Sequence, residues 1–309
     1  MILRTIGSET PKENSWGIPL FNNKTITKKM KKCVIALLAA MVLTACSNEQ
    51  EESVFNGSTA KNETEVTLTF SPYEVTQMSA PSRRAATSIS NVVTHLDVWL
   101  VEGDNVTDIH QTTSTEGFGT ITATLDKTKT YTLYAIGHKA DGATLSDGVI
   151  SFTDDKVTHA MFYTTTFSPA TTTNLSCLMT RIVADFRLDI TDDFPAECKS
   201  LRFTIANVFD RWNVSTGGTH QLDRVSTISY GGTSSIFNVY AIVTDAQTTH
   251  DIFVEALDVN SDVIQTRTFE DVPLRNGYKT TYRGTFFIDT PTSASFTIND
   301  WNEYDTVDF

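Results

Sequence analysis

The chain has 309 residues, 40% hydrophobic, 20% charged and 10% aromatic, with a formal net charge of −13 and a pI near 4.8. That is material for two ordinary domains, and it excludes a disordered tail or a disulfide miniprotein. Seven of the 24 Lys and Arg but only two of the 37 Asp and Glu precede Cys46, so the rest of the chain is more acidic than the total. Such a surface repels polyphosphates and anionic headgroups, which argues against nucleic acid as a partner and against docking on a membrane by charge.

The segment 1–45 reads as a signal peptide. Lys28-Lys29-Met30-Lys31-Lys32 leads into an apolar run from Cys33 through Leu43, closed by Thr44-Ala45-Cys46. A positive flank followed by about 7–15 apolar residues is the secretory pattern, and it is too short for a stable span. No polar residue interrupts the run to give an amphipathic stripe. Met30 is a better start than Met1, because 1–29 carry no such pattern. Leu43-Thr44-Ala45-Cys46 resembles a bacterial lipobox, in which the Cys thiol is the one nucleophile able to take a diacylglycerol. Two acyl chains hold far more firmly than one.

Residues 46–63 are polar and form the expected tether. The period then becomes two: Val66, Leu68 and Phe70 alternate with Thr67 and Thr69. Strand-like runs follow at 96–101, 120–125, 130–136, 182–190, 201–205, 236–243, 252–256, 263–269, 282–288 and 295–298. Roughly one residue in six is Thr, whose branched side chain suits a solvated sheet face. The class is therefore all-β, with many short strands in sandwiches. Thr164–Thr173 holds six Thr with Ser168 and Pro169 and no apolar period, which predicts a linker. It divides the body into 64–175 and 176–309, without short-period repeats.

Catalytic motifs are missing: the sequence has no nucleophile elbow, no His-Glu-x-x-His, and no phosphate- or dinucleotide-binding loop. The expectation is no enzyme, no metal and no cofactor. His95, His110, His138, His159, His220 and His250 are scattered and read as surface or strand-end residues. Asp258 to Asp262 imitates a calcium loop, but Val263 and Phe269 stand where Gly and Glu belong, so a hairpin turn fits better. Asp154-Asp155 and Asp192-Asp193 read as solvated acids. Cys177 and Cys198 are one candidate disulfide, and two thiols alone make neither a framework nor a metal site. Trp212 and Tyr230, near Gly217-Gly218 and Gly231-Gly232, are a candidate sugar platform.

Three stretches carry a family resemblance. Met179-Thr180-Arg181-Ile182-Val183-Ala184-Asp185-Phe186 resembles a strand of the Bacteroidota fimbrillins, the subunits of type V pili, although their commonest form has Lys where this chain has Asp185. Asp271-Val272-Pro273-Leu274-Arg275-Asn276-Gly277-Tyr278-Lys279-Thr280 with Gly284, and Phe296-Thr297-Ile298-Asn299-Asp300-Trp301, are similar to two further segments of that family. The acidic stretch Ser47 to Glu52 looks like the surface-export signal of Bacteroidota lipoproteins.

The resemblance implies two tandem transthyretin-like Greek-key sandwiches and a precursor lipidated at Cys46 on the cell outer membrane. It implies a trypsin-like protease cutting after Arg84 of the Arg83-Arg84 pair, which releases the first strand with Val66, Leu68 and Phe70. A neighbouring fimbrial subunit then fills the groove. The donor candidates are Phe296, Ile298, Trp301, Tyr304, Val307 and Phe309 in the C-terminal segment. Asp305-Thr306-Val307 resembles an O-glycosylation acceptor within that donor. The implied role is a stalk or tip subunit of a fimbrium serving adhesion; the alternative is a monomeric surface lipoprotein that binds glycans or host ligands.

Overall fold

Alternating Thr and aliphatic residues fold as strand almost wherever they occur. The computed structural model describes residues 62–73 and 88–288, and the backbone of 295–300. The signal, the tether, Cys46, Arg83, Arg84, Trp301, Tyr304, Thr306, Val307 and Phe309 lie outside the described residues. In chain order the strands are β1 (Glu63–Pro72), β2 (His95–Glu102), β3 (Asn105–Thr112), β4 (Thr120–Asp126), β5 (Tyr131–His138), β6 (Ala143–Ser146), β7 (Val149–Phe152), β8 (Ala160–Phe167) and β9 (Asn174–Arg181). Then come β10 (Ala184–Ile190), β11 (Ser200–Asn213), β12 (Gly217–Ser229), β13 (Ile236–Ala241), β14 (Thr248–Leu257), β15 (Val263–Leu274), β16 (Tyr278–Gly284) and β17 (Ser295–Asp300). The all-β expectation holds.

The first sheet has the order β3-β2-β5-β8-β9-β1-β4 and folds over on itself. Val66, Leu68, Phe70, Ile121 and Met179 from one side meet Leu96, Val98, Leu100, Leu133 and Met161 from the other in one core. In the second half the sheet β13-β10-β16-β17 faces the sheet β15-β14-β11-β7-β6, with β12 on the far edge of β11. Phe186, Leu188, Phe203, Ile205, Val239, Val254 and Leu274 fill the space between them.

Between the halves lies a third core, made by Trp99, Ile136, Ile150, Phe152, Phe162, Ile182, Val183 and Ile242. The hairpin β6–β7 precedes the division in sequence, yet β7 pairs with the end of β11 at Val149, Ile150 and Ser151. Arg224 on β12 is buried and spends its guanidinium on carbonyls: Nε donates to Tyr240 O at 3.0 Å, Nη1 to Asp155 O at 3.1 Å and Nη2 to Val157 O at 2.8 Å. A buried guanidinium is tolerated only when its donors are met, and here it ties loop 153–159 to β13.

The expected linker is corrected. Thr164 to Phe167 complete β8 opposite Tyr131 to Tyr134, and β9 returns to the same sheet beside β1. The chain passes to the second half at Ile182–Val183, inside the third core. Threonines at successive positions show no apolar period because their partners are on neighbouring strands. Cys177 sits in the first core and Cys198 in the second, both as free thiols, so the candidate bridge does not form.

Replacing Arg224 by Ala strands three carbonyls, and urea unfolding should show a loss of about 2 kcal/mol or more. A loss below about 0.5 kcal/mol would mean that water meets those acceptors equally well.

Candidate assembly site

The first strand occupies a slot between two neighbours. β1 runs antiparallel to β4, with Leu68 opposite Ile121, and parallel to β9, with Phe70 opposite Cys177. Its alternate side chains Val66, Leu68 and Phe70 are 0%, 0% and 3% exposed, while Glu65 and Thr69 face solvent. Burying three such side chains stabilises the packing by about 1.5–3 kcal/mol each. Backbone bonds pin the strand from its middle to its C-terminal end: Thr67 N–H donates to Thr173 O at 2.9 Å, Phe70 N–H to Gly119 O at 2.8 Å and Tyr73 N–H to Met179 O at 2.8 Å.

Gly119 is required where it stands. Its φ is +89°, and a Cβ there would meet Ile89 Cγ2 at 2.6 Å. Ile89 belongs to a short 3-10 turn, Ile89–Asn91, and packs into the first core with β1. Gln111 holds the same corner, accepting from Gly119 N–H and donating to Thr120 O, both at 3.0 Å.

Among the described residues β4 has no sheet neighbour other than β1. Removing β1 therefore strips one edge from β9 and leaves β4 with no backbone partner. Cys177 lies on the slot wall, 0% exposed, and burial pushes its thiol up to about 12.

At the other end of the chain, β17 pairs, among the described residues, only with β16, with Phe296 opposite Tyr282 and Ile298 opposite Thr280. Of the expected donor residues, these two are on an edge strand of the chain's own second sandwich.

Some groups that the sequence left scattered converge. His95 and Asp97 share one face of β2, where Asp97 is 4% exposed. Its Oδ1 lies 2.6 Å from His110 Nδ1 on β3 and its Oδ2 lies 2.6 Å from His138 Nε2 on β5, so both rings donate to the carboxylate. His95 stacks on His138 with centroids 5.4 Å apart. Burial, with His138 and His110 beside it, lowers the His95 pKa. Of the histidines read as surface or strand-end residues, His138 does end β5 but is fully buried, and His159 is buried as well, which holds its pKa well below the ordinary value. The signal lay in strand register, which joins positions 13 and 41 residues apart. This arrangement braces the sheet; no group of His, Cys, Asp or Glu among the described residues is placed to hold a metal ion.

Asp192 is also more than a solvated acid, because its carboxylate accepts from the N–H of Phe286, Phe287 and Ile288 at 2.7, 2.6 and 2.9 Å. Asp258 Oδ1 accepts from the N–H groups of Asn260 and Asp262, both at 2.8 Å, closing the β14–β15 turn as expected. Trp212 is packed against Phe162 at 5.8 Å in the third core and offers no free platform.

Asp185 opens β10 opposite Tyr240 and Lys279. Burial raises its carboxyl to about 7, against the partial lowering by Lys279, Arg187 and Arg181.

No family model matches the chain, and no curated protein is significantly similar to it in sequence. Solved structures are similar. One is a candidate adhesin from Bacteroides ovatus, 14% identical, covering 78% of this chain and 98% of that one with a TM-score of 0.47. A second is the fimbrial anchor protein Mfa2 from Porphyromonas gingivalis, 10% identical, covering 77% and 97% with a TM-score of 0.43. A third is a fimbrial assembly protein from Parabacteroides distasonis, 11% identical, covering 77% and 96% with a TM-score of 0.42.

Two outcomes are expected. Once β1 is cleaved off and removed, Cys177 should react with maleimide while Cys198 stays protected, read peptide by peptide by mass spectrometry. An unreactive Cys177 after β1 has gone would show a collapsed slot. For Asp185, a carboxyl raised above its unfolded value near 3.9 favours the fold below that value, and the benefit is lost as pH rises through about 7. Asp185→Asn should therefore gain stability relative to the parent chain between pH 5 and pH 8, on the order of a few kcal/mol. A difference constant across that window would place the burial cost elsewhere.

Proposed function

We propose that the chain is a structural subunit of a cell-surface fimbrium, a stalk or tip, that supports cell adhesion. The precursor is lipidated at Cys46 and held on the outer membrane. A trypsin-like protease cuts after Arg84, β1 leaves, and a strand from another subunit takes its place. What carries this reading is the position of β1, buried between β4 and β9 and joined to the remainder of the chain by the segment that holds Arg83-Arg84.

The energetics suit a fibre. A vacated slot exposes unpaired edges on β4 and β9 and a row of apolar pockets, and an incoming strand restores both sets of contacts. Five or six alternate side chains at roughly 1.5–3 kcal/mol each give a gross term on the order of 10 kcal/mol. The donor drawn on is the C-terminal segment, with Phe296, Ile298, Trp301, Tyr304, Val307 and Phe309. Support comes from β17 being held, among the described residues, on one edge only, as an easily withdrawn strand would be.

Limited trypsin treatment of the lipid-free chain should release β1 and yield oligomers that survive SDS without boiling. Changing Arg83 and Arg84 to Ala should abolish both, whereas deleting 301–309 should leave cleavage intact and stop the ladder. Complete cleavage at Arg84 without any oligomer would refute the reading.

A further inference from the structure

The loops at one end of the second sandwich enclose a cleft that assembly through β1 does not use. We propose that this cleft binds a neutral saccharide. It lies where loop 191–199, after β10, meets loop 230–235, before β13, as an open depression of about 400 Å3. That is within the range of small-ligand sites, roughly 300–1,000 Å3.

The cleft is preformed. Ile190 N–H donates to Ser235 O at 2.9 Å, Thr191 N–H to Gly284 O at 2.9 Å and Tyr230 N–H to Lys199 O at 2.7 Å, joining both loops to the sheets. The three N–H bonds accepted by Asp192 pin the floor to residues 286–288. Little ordering is left to oppose binding.

Its two walls differ in chemistry. One is aromatic: Phe194 and Tyr230 stack with centroids 4.1 Å apart and planes at 14°, backed edge-on by Phe287 at 5.0 Å from Phe194. Both rings line the cleft, but each spends one face on the other, so the apolar surface offered to a sugar's C–H groups is a narrow strip beside the polar wall. The other wall is polar. Arg283 Nε lies 3.3 Å from Asp189 Oδ2, with the Arg side chain 66% exposed and that of Asp189 20% exposed. A guanidinium donates and a carboxylate accepts, so the pair matches neighbouring hydroxyls, each of which does both. Thr233 and Ser235 add further hydroxyls.

Charge selects the ligand class. Three Asp and one Arg line the cleft of a chain with net charge −13, which disfavours sialylated or uronic sugars. A cation is disfavoured too, since Asp192 is spent on backbone N–H groups and Asp189 on Arg283, which leaves only the exposed Asp193 of the three lining carboxylates to meet it.

The test is saturation-transfer NMR on the full, uncleaved chain with lactose, N-acetyllactosamine, mannobiose and 3′-sialyllactose. Transfer to at least one neutral sugar is expected, with little to 3′-sialyllactose. Arg283→Gln, at an exposed position that the fold tolerates, should weaken binding at least tenfold, and Tyr230→Ala should do the same. No transfer from any neutral sugar, stronger transfer to 3′-sialyllactose, or affinity unchanged in Arg283→Gln would each overturn the proposal. Because the cleft is apart from β1, the trypsin ladder can succeed or fail without altering this outcome.

Discussion

The arrangement of the first half depends on occupancy of one position in one sheet. β4 pairs with β1 and, among the described residues, with no other strand. A two-stranded ribbon is marginal in water unless an apolar face is covered. Here Val66, Leu68 and Phe70 supply that cover from the middle of the layer. The slot is therefore a place that must be filled, by this chain's own β1 or by a strand of equivalent pattern. The parallel register with β9 and the antiparallel register with β4 fix the direction and phase any occupant must adopt.

The two halves are joined less like beads on a string than like two blocks sharing a wall. The third core draws Trp99 and Ile136 from the first sheet, Ile150 and Phe152 from the β6–β7 hairpin, and Ile242 from beyond β13. Arg224 adds a polar clasp at the edge of that core, its Nε, Nη1 and Nη2 each donating to a carbonyl. Such a group specifies one docking of the loop, since any shift would bury donors without acceptors.

Much of this was legible in the residues. Strand-like runs located β1, β2, β4, β5, β11, β14 and β15: β1 and β4 alternate because they bury one face, whereas β2 and β5 read as apolar runs because both their faces are covered. β3 and β12 escaped notice because their side chains are mostly exposed or half-buried, leaving no apolar period to detect. The division at 175 fell short of Ile182–Val183 because β8 carries three successive Thr and, like β9, draws its order from strands distant in sequence, β5 for β8 and β1 for β9. The convergence of His110 and His138 on Asp97 depends on two strand registers, a property that no local window contains. Asp185 stood out as a departure from a motif, but its burial against Tyr240 and Lys279 becomes visible only once β10 is placed between β13 and β16.

The longest strand has a mechanical consequence. β11 pairs with β14 over Ser200 to Ile205 and with β7 over Arg211 to Asn213, so one continuous backbone belongs to both the second core and the inter-half wall. Tension applied along it loads the flanking hydrogen bonds together in shear, and they must rupture nearly as a group instead of peeling singly. Rupture under load is governed by the unfolding rate, so this geometry makes the joint a slow-yielding element under traction.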